Sequence, residues 1–581
     1  MFGRYSTFAI ESLTQNINIK ITTMYKLKET ILKTRTMLML LAVIFLAFSC
    51  KKEDVSLPDN SSYEWKTNNQ QMPPSRSENH SNNGSIEDVA IVLGDTISDP
   101  YKLENMQKAY NNINNGNAPI SSVKANYRYV RVLPASQDEL KLIESDTTLL
   151  LFDYPLHYEI AVAGIYYHDP TVADSTLTWL YSVVPLNYQF PAGINEELIY
   201  YVYIPPTESK GDFYDRLEEE AYRVVGYEDQ GDGSKATNST WIPSATIRVW
   251  DDLLQRNIPL RGALVTARYG TKVRSGITNS SGFCYVNGEF RYKVNYAIKW
   301  ESAYWVIRDG MFWAAWYNGP KQKSAWDLTI SGGKSLRYAT IHRAAYKHYY
   351  GNNFGLYRPV SQFGKTKICY INTYSDNMGI YWGSWPDMGL LPDIKIWGKK
   401  DANTYFPTSL IFGTTCHELA HHSHWLYISA IQYAQVNILV YESWANAVEW
   451  VFTNDEYHQL GYTYNNTNAI NYNHEMGGKQ NWTGGSYSPI FVDLIDNFNQ
   501  TNSCYFYCYN PNEKRYEYRY HPGGSSYSDD RVTGYSLSFI QNHILNHAYG
   551  LSSLYTYVKQ NKPAGFNVTN SDIDALFAKY W

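Results

Sequence analysis

Between Cys416 and His422 the chain reads CHELAHH, which sets His417 and His421 four positions apart with Glu418 beside the first. On a helix, residues i and i+4 project from one face about one turn apart. Two neutral imidazoles can then reach one ion at roughly 2.0–2.1 Å, while the carboxylate next to the first faces the open coordination position. The flanks specify that helix. Phe412, Cys416, Leu419, Ser423 and Leu426 form one apolar or small stripe, while Thr414, His417, His421 and His424 occupy another side. The reading predicts a helix buried on one face, with His417 and His421 as zinc ligands and Glu418 as the general base. A chance match would leave the same residues as ordinary core or surface histidines.

The longer metzincin pattern requires Gly at 424 and His at 427, and this chain has His424 and Tyr427. His424 lies about 10 Å along the helix from His417 at a rise of roughly 1.5 Å per residue, too far to share the ion, and is expected at the surface or behind the ligands. The third ligand is sought on the next helical pattern, NILVYESWANAVEWVF, where Glu442 follows His421 by 21 positions. Val440, Trp444, Val448, Trp450, Val451 and Phe452 make that helix apolar on most sides, so a carboxylate there is buried and needs a cation or strong donors. Glu449, on nearly the same face, is a rival whose ordinary use is to pair with a Lys or Arg.

This stretch resembles the gluzincins, the thermolysin-like zinc peptidases. The resemblance runs from Cys416 to Phe452 and implies His417, His421 and Glu442 as zinc ligands. It also implies Asn446 as the partner that steadies a ligand histidine, although Asn stands where the family has Asp and brings no negative charge. Such enzymes also use a Tyr or His to stabilise the oxyanion. Tyr535, His543 and His547 are available, and Tyr535, after Gly534 near a helix start, is the catalytic candidate.

Lys26, Lys28, Lys33 and Arg35 precede the apolar run from Met37 to Ser49, and Cys50 follows. The pattern reads as a lipoprotein signal peptide, residues 1–49, with Cys50 as the lipidation site and a Ser-, Asn- and Pro-rich flexible tether at 50–88. The run is too short to span a membrane comfortably. The CKKED start and the richness in Tyr and Asn resemble surface lipoproteins of Bacteroidetes, which implies a lipid-anchored protein on the outer membrane facing outward. Five further cysteines suggest no disulfide framework in a chain of 581 residues, so stability must come from cores. Cys416 reads as a packed thiol. With a net charge of −5 and no basic stripe, a nucleic-acid partner is not expected.

Three domains are expected after the tether. Residues 89–235 mix helical and extended patterns, including a capping box from Ser136 to Glu139, and read as an α+β domain serving as spacer, docking module or inhibitory segment. Residues 240–330 show short strands with turns at Gly262, Gly270 and Asn279–Gly282. They resemble a carboxypeptidase-regulatory, transthyretin- or Ig-like all-β sandwich, which implies scaffolding. Its Trp300, Trp305, Trp313 and Trp316 suit core packing better than sugar stacking. Residues 335–581 read as a mainly α, zincin-type catalytic domain. Its short IKIW strand, 394–397, or residues neighbouring it, is expected to hold an extended peptide by main-chain bonds, as edge strands commonly do in zincins. The expected function is zinc-dependent hydrolysis of extracellular proteins or glycoproteins. The competing class is a surface binding lipoprotein whose HELAH is inactive or coincidental.

Overall fold

The computed structural model describes residues 88–580 apart from 116–122, 174–176, 207–211, 228–239, 361–363, 376–377, 382–392, 464–487 and 511–514. The signal peptide, Cys50 and nearly all of the tether lie outside the described residues. The chain is multidomain, sheet-rich in its first half and largely helical in its last third.

The N-terminal region pairs three helices, Leu103–Ile113, Gln137–Glu144 and Asp212–Val224, with an antiparallel sheet in which Tyr127–Leu133 lies between Leu180–Pro185 and Asn195–Val202. The second helix starts on its Ser136 N-cap, whose Oγ accepts the Glu139 N–H at 3.1 Å; the Glu139 carboxylate reaches back one residue further than a capping box requires and accepts the Ala135 N–H at 2.7 Å. The following apolar stretch, TLLLFDYP, forms no strand; Phe152 makes a single bridge to Tyr181 and stacks on Trp316 of the next region at 5.3 Å. Packing across that boundary wins over local strand preference.

Two four-stranded sheets follow. Ser244–Asp251 alternates buried Ala245, Ile247 and Val249 with more accessible neighbours, as a strand with one face on a core must. It pairs with Arg256–Pro259, Phe283–Tyr285 and Trp326–Ile330, while Leu264–Tyr269 and Val294–Lys299 centre the second sheet. Gly262, Gly270 and Gly282 take φ of 80°, 54° and 76° at the expected turns, a region closed to most side chains. One part of the 240–330 stretch departs from the expected sandwich. Trp305–Asp309 is buried along its whole length and pairs in parallel with Thr366–Tyr374, inside the C-terminal sheet. Strands covered on both faces belong in parallel sheets, and Trp305 supplies the bulk to fill one. Trp300, Trp305 and Trp316 are fully buried, and a single core runs from Ala245 through Trp300 to Leu419 and Tyr457.

The C-terminal region is therefore not helical alone. Its five-stranded sheet runs in the order Trp313–Ala314, Trp305–Asp309, Thr366–Tyr374, Ile394–Lys399, Gly379–Tyr381; the middle three are parallel and the last is antiparallel to its neighbour. Against it pack a backing helix, Gly333–Tyr349, and the HELAH helix, Thr408–Ile428, beside which lies an acidic helix, Ile438–Gln459. Enclosed by two helices and the sheet, the HELAH helix is buried around nearly its whole circumference rather than on the one face its stripe suggests.

That helix opens at Pro407, which offers no capping side chain. The cap comes from the sheet-rich region: the Asp252 carboxylate, at the end of Ser244–Asp251, accepts the Thr408 N–H at 2.9 and 3.0 Å and also the Thr408 hydroxyl. Its neighbour Asp251 accepts from Arg343 on the backing helix at 3.0 Å and from Tyr457 on the acidic helix at 2.7 Å. The end of the strand Ser244–Asp251 thus ties together the three helices that frame the histidines. Asp252→Ala is expected to cost about 1–2 kcal/mol, and Asp252→Asn less because its amide oxygen still accepts. Denaturant midpoints of the two variants check this, and equal midpoints for Ala and wild type would contradict the capping role.

Candidate metal centre

His417 and His421 leave the HELAH helix one turn apart and meet Glu442 from the acidic helix. His417 Nε2 is 3.1 Å from His421 Nε2 and 3.2 Å from Glu442 Oε2, and His421 Nε2 is 3.5 Å from the same oxygen. Donor atoms around a tetrahedral ion at about 2.0–2.1 Å stand about 3.3–3.4 Å apart. The observed triangle has that size. All three side chains are buried, and among the described residues no other trio of His, Cys, Asp or Glu converges so closely. Two imidazoles and one carboxylate are a donor set that can hold a divalent metal ion such as zinc.

The electrostatics say what such an ion displaces. Burial alone would lower the pKa of His417, but the Glu442 and Glu449 carboxylates, with Glu418, outweigh it and raise it to about 10. Burial holds His421 below its usual value against the pull of Glu442, and Glu442 is held far below the carboxylate range, its burial outweighed by the two histidines. The metal-free site therefore stores a proton on His417 at neutral pH. A metal needs that imidazole neutral, so loading at pH 7–8 is expected to release about one proton per ion, and affinity should rise with pH up to about 10. Calorimetry in buffers of different ionisation enthalpy measures the release; a value near zero would contradict this charge state.

Glu449 is the residue that the sequence reading undervalued. Its Oε2 lies 3.2 Å from His417 Nδ1, the nitrogen that faces away from the triangle. Seven residues are close to two helical turns, so Glu449 returns to the azimuth of Glu442 and reaches the same ring from behind. Asn446, the expected orienting residue, is half-buried, and it is the Glu449 carboxylate that stands beside His417 Nδ1.

Glu418 is 2% exposed and stands against the end of the sheet. A Cβ added to Gly379 would lie 2.5 Å from Glu418 Oε1 and 2.6 Å from Thr414 Cγ2, so a glycine lets the strand approach Glu418 this closely. That strand, Gly379–Tyr381, is the outermost of the sheet among the described residues. Ile394–Lys399 is paired on both sides, so of the two expected candidates it is the neighbouring strand, not IKIW itself, that lies outermost. Tyr381 OH meets His422 Nδ1 at 3.2 Å, and His422 Nε2 meets Thr366 Oγ1 at 3.3 Å, pinning the edge strand to the HELAH helix.

Tyr535 is not at this site. It is 1% exposed and donates its hydroxyl to Val558 O at 3.0 Å, within the core of the C-terminal helices. His543 and His547 pack on Phe539 and Tyr557 in the same region. A glycine before a helix start locates a turn, and here the turn points its tyrosine inward. His424 is fully buried, not at the surface, and Cys416 is a packed thiol. Comparison with protein-family models, with curated proteins and with solved structures finds no match.

Proposed function

We propose that the chain is a zinc-dependent peptidase of gluzincin type. The observation that carries this reading is the buried His417–His421–Glu442 triangle with Glu418 one residue along and an antiparallel edge strand beside it. Zinc, when bound, acidifies a coordinated water and polarises a carbonyl oxygen. Glu418 takes a proton from the attacking water on its carboxylate and delivers it to the nitrogen of the leaving amine. The main chain of Gly379–Tyr381 holds an extended substrate by strand addition, its flank at Gly379 bringing the peptide against Glu418. The zincin fold and the endopeptidase activity belong to the same proposal, as do protein or glycoprotein substrates outside the cell and anchoring to the outer membrane through Cys50. Among the described residues no helix is long and apolar enough to cross a membrane.

The alternative, a surface binding protein that recognises ligands through its Trp-rich stretch, is disfavoured because Trp300, Trp305 and Trp316 face the interior. Chelator-sensitive cleavage of unfolded protein substrates, abolished in Glu418→Gln, tests the peptidase reading.

A further inference from the structure

The ring of His421 has a second nitrogen, and the chain makes an unusual detour to meet it. At the end of the HELAH helix Ser429 adopts φ 76° and ψ 155°, a conformation that side chains other than glycine rarely take. The turn it creates leads at once into a four-residue helix, Ala430–Tyr433, closed by a hydrogen bond from Tyr433 N–H to Ser429 O at 2.9 Å. This helix lies on the surface: Ile431 is 71% exposed, and Gln432 is exposed beside it. Tyr433 turns inward, and its hydroxyl stands 3.2 Å from His421 Nδ1. The ring is held on two sides, stacked on Tyr441 at 5.4 Å and met edge-on by His424 at 5.1 Å, while Tyr441 itself stands edge-on to His421 at 5.5 Å.

We propose that Tyr433 is a positioning residue for the metal centre, and that the strained Ser429 turn serves to deliver it. The inference rests on the metal-site reading above. When His421 Nε2 holds a metal, Nδ1 carries the proton and donates it to the phenol oxygen, which fixes both the tautomer and the ring orientation. The two ligand histidines are then supported differently, His417 by the carboxylate of Glu449 and His421 by a neutral phenol. Glu418, Glu442 and Glu449 already bring three carboxylates to the site. A neutral acceptor orients the second ring without a fourth negative charge, which would lower the electrophilicity of the ion.

Tyr433→Phe keeps the ring, and with it the packing on Tyr441 and His424, and removes only the acceptor. A residue that served packing alone would leave metal binding unchanged. The expected result is a roughly 10-fold loss of zinc affinity and an altered visible spectrum of the cobalt(II) form, with the denaturation midpoint of the metal-free protein unmoved. Wild-type zinc affinity and an unaltered cobalt spectrum in Tyr433→Phe would overturn the role of Tyr433 while leaving the metal site standing. Failure of the wild-type protein itself to bind zinc or cobalt would overturn the metal-site reading, and this inference with it.

Discussion

Glu442→Ala is expected to empty the metal site, and Glu449→Ala to weaken it. Removing Glu442 takes away the only anionic member of the triangle and leaves two imidazoles 3.1 Å apart in a buried pocket. The adjoining helix presents Val440 and Trp444, both buried and apolar, which can supply no replacement oxygen. Zinc should be lost on dialysis against a mild chelator. Glu449 touches His417 from behind, at Nδ1, so its removal leaves all three donors in place but releases the ring. Losses of about 10- to 100-fold in affinity are typical for such outer partners. Asn446→Ala should bind zinc close to wild type, because it is Glu449 that stands beside His417 Nδ1. Zinc stoichiometry of the three variants after identical dialysis is the measurement. Full zinc retention by Glu442→Ala would exclude it as a ligand, and a site emptied by Asn446→Ala alone would return the orienting role to that residue.

Glu418→Gln should separate binding from chemistry. The amide preserves the shape of a side chain packed between Thr414 and Gly379, so the helix and the edge strand stay as they are. Its carbonyl can still accept a hydrogen bond from water but cannot take up and pass on a proton at neutral pH. Proteolysis should therefore fall by roughly 100-fold or more, general acid–base catalysis being worth about that much, while zinc content is unchanged. The variant also loses one of the carboxylates that raise the pKa of His417, so its metal-free imidazole should deprotonate at lower pH than in the wild type. Undiminished peptide cleavage by a zinc-loaded Glu418→Gln protein would rule out this residue as the base.

How much of this was legible in one dimension depended on whether the relevant partners share a helix. His417, Glu418 and His421 are related by helical spacing alone, and the apolar surroundings of Glu442 marked it as a carboxylate needing compensation. The Ser136 N-cap and the turn glycines at 262, 270 and 282 are likewise local, and each stands where the pattern places it. Asn446 came from the resemblance rather than from helical spacing, and Glu449, which stands beside His417 Nδ1, was read as a rival to Glu442. A shift of a few residues along a helix changes the azimuth only modestly, and which azimuth meets His417 depends on how the acidic helix lies against its neighbour.

Tyr535 shows the limit differently, since nothing in a sequence holding 54 tyrosines distinguishes the phenols beside a metal site from those inside a core. Tyr433 was invisible for that reason, and its approach to His421 depends on a positive φ at Ser429 that no residue type announces. The strand edge was equally hidden: IKIW looks like an edge strand, but whether a strand is flanked on both sides is decided by other segments of the chain. By itself the sequence determined the helix and the chemistry of its donors, because periodicity and side-chain type are carried by neighbouring residues. Only the tertiary structure decided which carboxylate supports which ring, which strand lies beside Glu418, and that Asp252 caps the HELAH helix, because each joins residues that are distant along the chain and adjacent only after packing.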